Sequence, residues 1–275
     1  MRFDQKPYVL EDAVSIRLVE DELLRSIGLI DEEGNLGPIG QRVAPHRGLF
    51  VGRARLFEDL VIDSASGGVD QYVILGAGLD TFCQRRPDLL QRLRVFEIDE
   101  PTTQQWKQDR LRELDMKMPA RQVFVPLDFE HGRSWVEALK ERGFDVTAPS
   151  TIASTGVAQY ITGDAMRATM QEAAALAAGT TLVCTFVVPV DLIDAKDREI
   201  RAFTEQGAAA MGAPWISFYS PEEFRTLALD AGFDDVRHIS PVDLTDLYFR
   251  GRPDGLRIPS NEHLIVAARS QTAPN

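Results

Sequence analysis

The chain has 275 residues, enough for one large α/β domain, and 44% of them are hydrophobic and 26% charged. These proportions exclude a chain that is disordered throughout, and no apolar run approaches the roughly 18 residues of a membrane-spanning helix. The formal charge of −12 argues against nucleic-acid and anionic-membrane partners, because binding of phosphate groups requires clustered Lys and Arg.

Short apolar segments alternate with helical patterns along most of the chain. Helices are predicted over 10–30 and 53–63, separated by the Gly/Pro-rich loop EEGNLGPIGQ. An irregular stretch, 240–261, precedes the last predicted strand, so we expect that strand to be antiparallel and at a sheet edge. The whole pattern predicts an α/β fold with a doubly wound, seven-stranded, mostly parallel sheet. The predicted strands are 71–75, 93–98, 122–126, 150–154, 181–188, 234–239 and 262–268.

The domain organisation follows from this pattern. Residues 66–275 are predicted to form a Rossmann-like domain, and residues 1–65 precede it as a helical lid. Residues 189–219 interrupt the βα alternation and are predicted to form a lid insertion. Ligands of open α/β sheets bind at the carboxyl ends of the strands, and both segments could cover that crevice.

The strongest chemical signal is a glycine turn after the first strand. The strand runs directly into Gly76, Ala77 and Gly78, where glycines permit a tight turn and close approach of a ligand to the backbone. The second strand ends in Asp99, about 20 residues further on, at the spacing of an acidic residue that holds the ribose hydroxyls of a nucleotide.

Two kinds of nucleoside ligand compete for such a turn. A dinucleotide site has a third glycine and a helix N-terminus facing the pyrophosphate, whereas this chain lacks that glycine and has Asp80 in the turn. A carboxylate there repels a pyrophosphate and attracts the ammonium of an amino acid. A ligand with a ribose, no phosphate and a cationic amino-acid tail is S-adenosylmethionine. The residues therefore favour a methyltransferase over an NAD(P)-linked enzyme.

Several further motifs occur in order with the glycine turn. Together they resemble the leucine carboxyl methyltransferase superfamily, and more closely its bacterial, actinobacterial-type branch of S-adenosylmethionine-dependent enzymes that includes polyketide O-methyltransferases. The resemblance implies the class I methyltransferase fold and covers about residues 45–270. Its motifs are GRARLFED (52–59), VILGAGLDTF (73–82), VFEIDEP (95–101), VPLDFE (125–130), DAGF (230–233), GAPWISFYSP (212–221) and YFRGRPDGL (248–256).

The resemblance also implies a set of cofactor-binding residues. An arginine of the RAR segment pairs with the carboxylate of the methionine moiety; by position this is Arg53, with Arg55 as the alternative. The glycine turn cradles the cofactor by its backbone, and aromatic or aliphatic side chains after the third strand pack on the adenine. The resemblance implies Arg53, the turn Gly76, Ala77 and Gly78, Asp99 at the ribose, and Asp128 with Phe129 or Leu127 at the adenine. Three further candidates complete the set: Asp80 by its charge, Glu97 because it points to the same strand face as Asp99, and Thr155 by its position after the fourth strand.

One position departs from the family pattern. After the fourth strand the family usually has a glutamate followed by glycine, whereas this chain has Thr155 followed by Gly156. Threonine can exchange a hydrogen bond but cannot hold a charge. The departure leaves open a protein of the same fold that binds the cofactor without transferring its methyl group, or that acts as a scaffold.

The acceptor side has fewer signals. A carboxylate acceptor needs no base, whereas a hydroxyl must lose a proton, and His46 is then the best candidate base. Thr155 and Tyr160 complete the catalytic candidates, and surface or packing roles are expected for the other three histidines, His131, His238 and His263. We expect a cytoplasmic monomer or homodimer without a metal site that O-methylates a carboxylate or phenolic hydroxyl of a small secondary metabolite.

Overall fold

The computed structural model describes residues 4–129 and 133–270. Seven strands and eleven α-helices of four or more residues lie in this part of the chain. The strands are β1 (Gln71–Leu75), β2 (Arg94–Asp99), β3 (Gln122–Pro126), β4 (Ser150–Ser154), β5 (Thr181–Val187), β6 (Asp235–Ile239) and β7 (Glu262–Ala268). The helices are α1 (Ser15–Leu18), α2 (Asp21–Ser26), α3 (Pro38–Val43), α4 (Arg47–Ser66), α5 (Phe82–Arg85), α6 (Pro101–Glu113), α7 (Trp135–Lys140), α8 (Gly163–Ala174), α9 (Arg198–Ala210), α10 (Pro221–Ala231) and α11 (Pro241–Tyr248).

The strands form one mixed sheet in the order β3-β2-β1-β4-β5-β7-β6. The pairs from β3 to β5 are parallel, and β7 pairs antiparallel with both β5 and β6. The predicted seven-stranded, mostly parallel α/β fold with an antiparallel last strand is therefore confirmed. The edge position expected for this antiparallel strand is wrong, because β7 lies between β5 and β6, and β6 is the edge strand.

Side chains alternate between the two faces of the sheet, as the two-residue period of a strand requires. On β1, Val73 and Leu75 face the apolar cluster that α7, α8 and α10 complete. Tyr72 and Ile74 face the opposite cluster, which includes residues of α4 and α11. Helices on both faces bury the central strands on both sides, which explains why β1 and most of β5 are apolar at consecutive positions.

The helical predictions differ from the structure in two places. The predicted helix over 10–30 is two short helices, α1 and α2, separated by an extended residue at Val19. The stretch 240–261 contains α11, which the sequence reading missed. Ser240 begins it with a capping box, in which its hydroxyl accepts from the backbone of Asp243 and the Asp243 carboxylate accepts from the backbone of Ser240.

Parts of both segments predicted as lids lie near the carboxyl ends of the parallel strands: Arg53 of the first lines the cavity beside the turn after β1, and Trp215 of the second contacts Tyr160 after β4. The long helix α4 ends at Ser66 and is followed by β1, and residues 189–219 hold two short 3-10 helices and α9. Their action as lids stays a prediction. Within the described ranges, no helix combines the length and the apolar character needed to cross a bilayer.

Candidate functional site

A crevice opens where the order of the parallel strands reverses, between β1 and β4. This switch point is where ligands bind in open α/β sheets. Two cavities of about 490 and 260 Å³ lie there, and Gly76 lines both of them. The larger runs along α4 and the glycine turn, and the smaller lies at the ends of β2 and β3. We call them the tail cavity and the nucleoside cavity.

The glycine turn has a backbone that other residues adopt only with strain. Gly76 has a φ of +69° and Gly78 a φ of +47°. A Cβ on Gly76 would lie 2.4 Å from Cγ2 of Val157, whereas a Cβ on Gly78 would meet no atom within 4 Å. Gly76 and Ala77 both donate to the Ile98 carbonyl, at 2.9 and 3.0 Å, which fixes the turn against β2. The backbone at Gly78 therefore faces open space that a ligand can approach.

Asp99 lies beside this turn at the end of β2 and lines the nucleoside cavity. Its Oδ2 accepts a short hydrogen bond from the Gly78 N–H, and its Oδ1 accepts from the Glu100 N–H at 2.7 Å. Burial raises the pKa of the Asp99 carboxyl, and the two backbone donors oppose that shift. A carboxylate oriented in this way has lone pairs left for two neighbouring hydroxyl groups.

Asp80 lines the tail cavity together with Ala77 and Gly78. Its Oδ1 accepts from the Phe82 N–H at 2.8 Å, so the carboxylate also caps the short helix α5. Burial raises the pKa of Asp80, against the pull of Lys107. An ammonium group entering the cavity would favour the charged carboxylate.

Glu97 is the cofactor-binding candidate that the structure does not place at the crevice. Its side chain is 0% exposed, with Oε2 2.6 Å from the Lys107 ammonium and Oε1 accepting from the Gln122 amide at 2.8 Å. Glu97 does lie on the same strand face as Asp99, but two residues deeper, where α6 covers it. The expectation that Glu97 shares the ribose with Asp99 is corrected accordingly: its carboxylate is engaged inside the protein by Lys107 and Gln122.

The candidates after β3 lie on the other side of the nucleoside cavity. Asp128, Phe129 and Leu127 all line it, and Phe129 also packs against the apolar cluster of that sheet face. A flat apolar wall beside a carboxylate at the end of β3 suits a purine ring with an exocyclic amino group.

The two arginines of the RAR segment have different surroundings. Arg53 is 14% exposed, lines the tail cavity and pairs through Nη1 with Oε1 of Glu262 at 2.6 Å. Arg55 points away from the crevice, pairs with Asp59 and donates to the Val9 carbonyl. The geometry therefore selects Arg53 over Arg55 for contact with a ligand in the tail cavity.

Thr155 and Tyr160 flank the turn that follows β4. Thr155 lines the tail cavity, and Tyr160 lines the nucleoside cavity with its ring edge-on to Trp215 at 6.4 Å. Gly156 between them has a φ of +68° and donates to the Thr185 hydroxyl at 2.8 Å. This turn brings the two catalytic candidates to opposite sides of the point where the cavities meet.

His46 lines neither cavity, and Phe50 separates it from the tail cavity. The imidazole is 3% exposed, its edge faces the Phe50 ring at 6.4 Å, and its Nδ1 lies 3.3 Å from the Thr204 hydroxyl of α9. Its Nε2 has no hydrogen-bond partner within the described chain. Burial lowers the pKa of His46 to about 4, with Arg53 contributing and Asp197 opposing.

The other histidines have structural surroundings where they can be described. The Nε2 of His238 and the Nδ1 of His263 lie 2.8 Å apart on the adjacent strands β6 and β7, with the rings stacked beside Phe186. His131 lies outside the described residues. A search of the described residues found no group of three or more His, Cys, Asp or Glu side chains suited to a metal ion.

A comparison with known protein families decides the identity of this crevice. The leucine carboxyl methyltransferase profile matches residues 2–174, which include the glycine turn, Asp99, Asp128 and Thr155. This chain belongs to the leucine carboxyl methyltransferase family. Its members, and the relatives below, are S-adenosylmethionine-dependent methyltransferases, and S-adenosylmethionine is the cofactor of this one.

The curated relatives agree with the family assignment. "Putative S-adenosyl-L-methionine-dependent methyltransferase YktD" of Bacillus subtilis (strain 168) is 34% identical over 219 residues, which are 79% of this chain and 71% of that protein. A "Putative S-adenosyl-L-methionine-dependent methyltransferase" of Mycolicibacterium gilvum is 35% identical over 56% of this chain. That match spans 48% of the mycobacterial protein, so about half of the relative lies outside it.

Solved structures share the fold. One, titled a "putative methyltransferase" from Thermobifida fusca YX, superposes with a TM-score of 0.55 over 82% of each chain, at 20% sequence identity. At that identity the likeness concerns the fold alone.

The residues of the methyltransferase crevice fit S-adenosylmethionine. The backbone at Gly78 is open to a ligand, and Asp99 presents its carboxylate to the nucleoside cavity, as binding of a ribose requires. Arg53 and Asp80 place a cation and a carboxylate in the tail cavity, opposite in sign to the two ends of an amino acid. The sequence analysis missed Glu262, the partner of Arg53. Its signal is the direction of β7: the first residue of an antiparallel strand lies at the sheet edge where the parallel strands end.

Proposed function

We propose that this methyltransferase transfers the methyl group to an oxygen of a small organic acid, with a carboxylate as the preferred acceptor and a phenolic hydroxyl as the alternative. The observation that carries the proposal is the burial of His46, which is 3% exposed and lines neither cavity. Burial lowers the pKa of this imidazole, and Arg53, Arg257 and Arg201 lower it further, whereas Asp197 opposes the shift. The histidine beside the crevice is therefore a weak base, which favours an acceptor that is already anionic.

The chemistry of methyl transfer separates the two acceptors. Bound S-adenosylmethionine supplies a methyl group on a sulfonium, whose displacement requires mainly that the acceptor oxygen lie in line with the breaking bond. A carboxylate is already anionic at neutral pH, so the protein only has to position it. A phenol must lose a proton, and a base whose conjugate acid has a pKa of about 4 is poorly matched to remove it.

Aromatic side chains define the approach to the crevice from the 189–219 segment. Tyr160 is 39% exposed and meets the Trp215 ring edge-on, and the guanidinium of Arg201 lies between the Trp215 and Phe218 rings, 4.6 and 4.9 Å from their centroids. Flat rings beside a buried cation suit a planar aromatic acid. This supports a small secondary metabolite as the acceptor.

The experiment uses one probe that carries both oxygens. Incubation of the protein with S-adenosylmethionine and 4-hydroxybenzoate, followed by mass spectrometry and chromatography, distinguishes the methyl ester from the methyl ether. We expect the ester, at a rate that is flat between pH 6 and 9. Ether formation with a rate that rises with pH would instead support the phenol as acceptor, because the phenolic hydroxyl loses its proton toward the upper end of this range.

A matched variant separates the two routes further. His46→Gln keeps a hydrogen-bonding side chain of similar reach and removes the titratable ring. We expect ester formation to change by less than about threefold, because no proton is transferred. A loss on the order of a hundredfold in a folded variant would contradict the carboxylate proposal. Cofactor binding without transfer to a broad panel of carboxylic acids and phenols would support the non-methylating alternative.

A further inference from the structure

The residue that pairs with Arg53 comes from the opposite end of the chain. Glu262 is the first residue of β7 and pairs in register with Val187 at the carboxyl end of β5. Its side chain is 5% exposed, and its Oε1 lies 2.6 Å from Nη1 of Arg53. Because β7 runs antiparallel, its first residue reaches the edge of the sheet at which the parallel strands end.

The guanidinium of Arg53 is held from three sides. Its Cζ lies 4.8 Å from the Phe50 ring centroid, Glu262 binds Nη1, and Nη2 lies 3.6 Å from the position that a Cβ on Gly156 would take. A guanidinium has five N–H donors in a fixed plane, so one partner leaves further donors for a ligand in the tail cavity. By binding Nη1, Glu262 therefore determines which N–H groups of the Arg53 guanidinium remain for a ligand in the tail cavity.

We propose that Glu262 is a positioning residue for the amino-acid end of the cofactor: it orients Arg53 and completes a neutral ion pair that selects a zwitterionic tail. This inference rests on the proposed function of the crevice. Thr155, at the end of β4, lines the same cavity and cannot carry a charge. Glu262 of β7 therefore supplies a negative charge next to Arg53, whereas Thr155 after β4 supplies none.

The charge balance explains why a pair suits this ligand. The amino-acid tail carries one carboxylate and one ammonium and has no net charge. Asp80 lines the same cavity and suits the ammonium, whereas Arg53 suits the carboxylate but would be costly to bury without a partner. The Arg53–Glu262 pair is likewise neutral, and it places opposite charges 2.6 Å apart beside the cavity.

The test compares two ligands that differ in the tail alone. S-adenosylhomocysteine carries the amino-acid tail, and 5′-methylthioadenosine has the same nucleoside and thioether without it. Calorimetric titrations of wild type and Glu262→Gln with both ligands isolate the contribution of the tail. We expect Glu262→Gln to weaken S-adenosylhomocysteine at least tenfold and methylthioadenosine by less than threefold.

A control and a second variant address folding. Asp254 belongs to an equally buried ion pair with Arg252 that lies away from both cavities, and Asp254→Asn should leave the affinity ratio of the two ligands unchanged. Replacement of both partners, Arg53→Met with Glu262→Met, leaves no unpaired buried charge. In this double variant, S-adenosylhomocysteine should bind no more tightly than methylthioadenosine.

The outcomes separate this inference from the function on which it rests. If wild type binds neither ligand, the proposed function fails. If wild type prefers S-adenosylhomocysteine, and Glu262→Gln weakens both ligands equally or neither, the nucleoside site stands and the role of Glu262 is refuted. Retention of the preference in the double variant would refute it as well.

Discussion

Lys107 and Glu97 form a fully buried ion pair beneath the glycine turn. The Lys107 Nζ lies 2.6 Å from Oε2 of Glu97, and the side chains are 1% and 0% exposed. Burial opposes the charge on Lys107, but the attraction of Glu97 and Asp80 outweighs it and raises the pKa of the amine. The pair joins α6 to β2, and Asp80 of the glycine turn lies close enough to add to the attraction on the Lys107 amine.

Removal of one partner of this pair should strongly destabilise the fold. Lys107→Met leaves the Glu97 carboxylate buried without its cationic partner, with the Gln122 amide and the Cys83 thiol still beside it, and we expect a loss of about 3–5 kcal/mol in the free energy of unfolding. Urea denaturation measures it. Lys140→Met is the control, because Lys140 is 45% exposed and its ion pair with Glu137 contributes less than about 1 kcal/mol. Equal stabilities of the two variants would contradict this prediction.

Gly78→Ala should impair binding more than it impairs folding. The positive φ costs an alanine about 1–2 kcal/mol, but no protein atom lies within 4 Å of the new Cβ. Gly68→Ala is the matched control, since Gly68 also has a positive φ and an empty environment, and it lies outside both cavities. We expect similar stabilities, with S-adenosylhomocysteine affinity reduced at least tenfold only in Gly78→Ala. Equal affinities would show that the cofactor does not approach this backbone.

His46 should make stability depend on pH between about 4 and 6.5. Burial lowers its pKa to about 4 in the folded chain, so in this range the unfolded state binds more protons and stability falls as the pH falls. The effect is complete near pH 4, where the folded state also becomes protonated. The free energy of unfolding is measured for wild type and His46→Gln at pH 7.5 and pH 4.5. Between these pH values wild type should lose about 2–3 kcal/mol more than the variant. Parallel pH profiles would contradict a buried neutral imidazole.

The strands could be predicted from the sequence because their cause is local. The central strands β1, β4 and β5 are buried on both faces and are short and rich in apolar or β-branched residues, as in the YVIL segment of β1. The helix α11 was missed because its signal is a capping box at Ser240 rather than an extended apolar stripe. The interior position of β7 depends on which strands pair, and the local sequence carries no record of that choice.

The site residues also fall into those that the sequence predicts and those that only the structure shows. The glycine turn, Asp99, Asp128 and Arg53 follow strand ends or a motif, and strand ends converge at one edge of the sheet. Glu97 has the same strand periodicity as Asp99, and only the position of α6 shows that it is buried. Glu262 lies 209 residues from Arg53, so their pairing required the sheet order.

The central claim is that the crevice at Gly76 binds an adenosyl cofactor through Asp99. The most direct measurement is calorimetric titration of wild type and Asp99→Ala with S-adenosylmethionine, S-adenosylhomocysteine and NADH, with Asp109→Asn as a control at an exposed carboxylate of α6. We expect wild type and Asp109→Asn to bind both adenosyl ligands and not NADH. Asp99→Ala should lose on the order of a hundredfold in affinity, about 2–3 kcal/mol, for two hydrogen bonds to a charged group. Adenosyl binding unchanged in a folded Asp99→Ala, or absent from wild type, would contradict the claim.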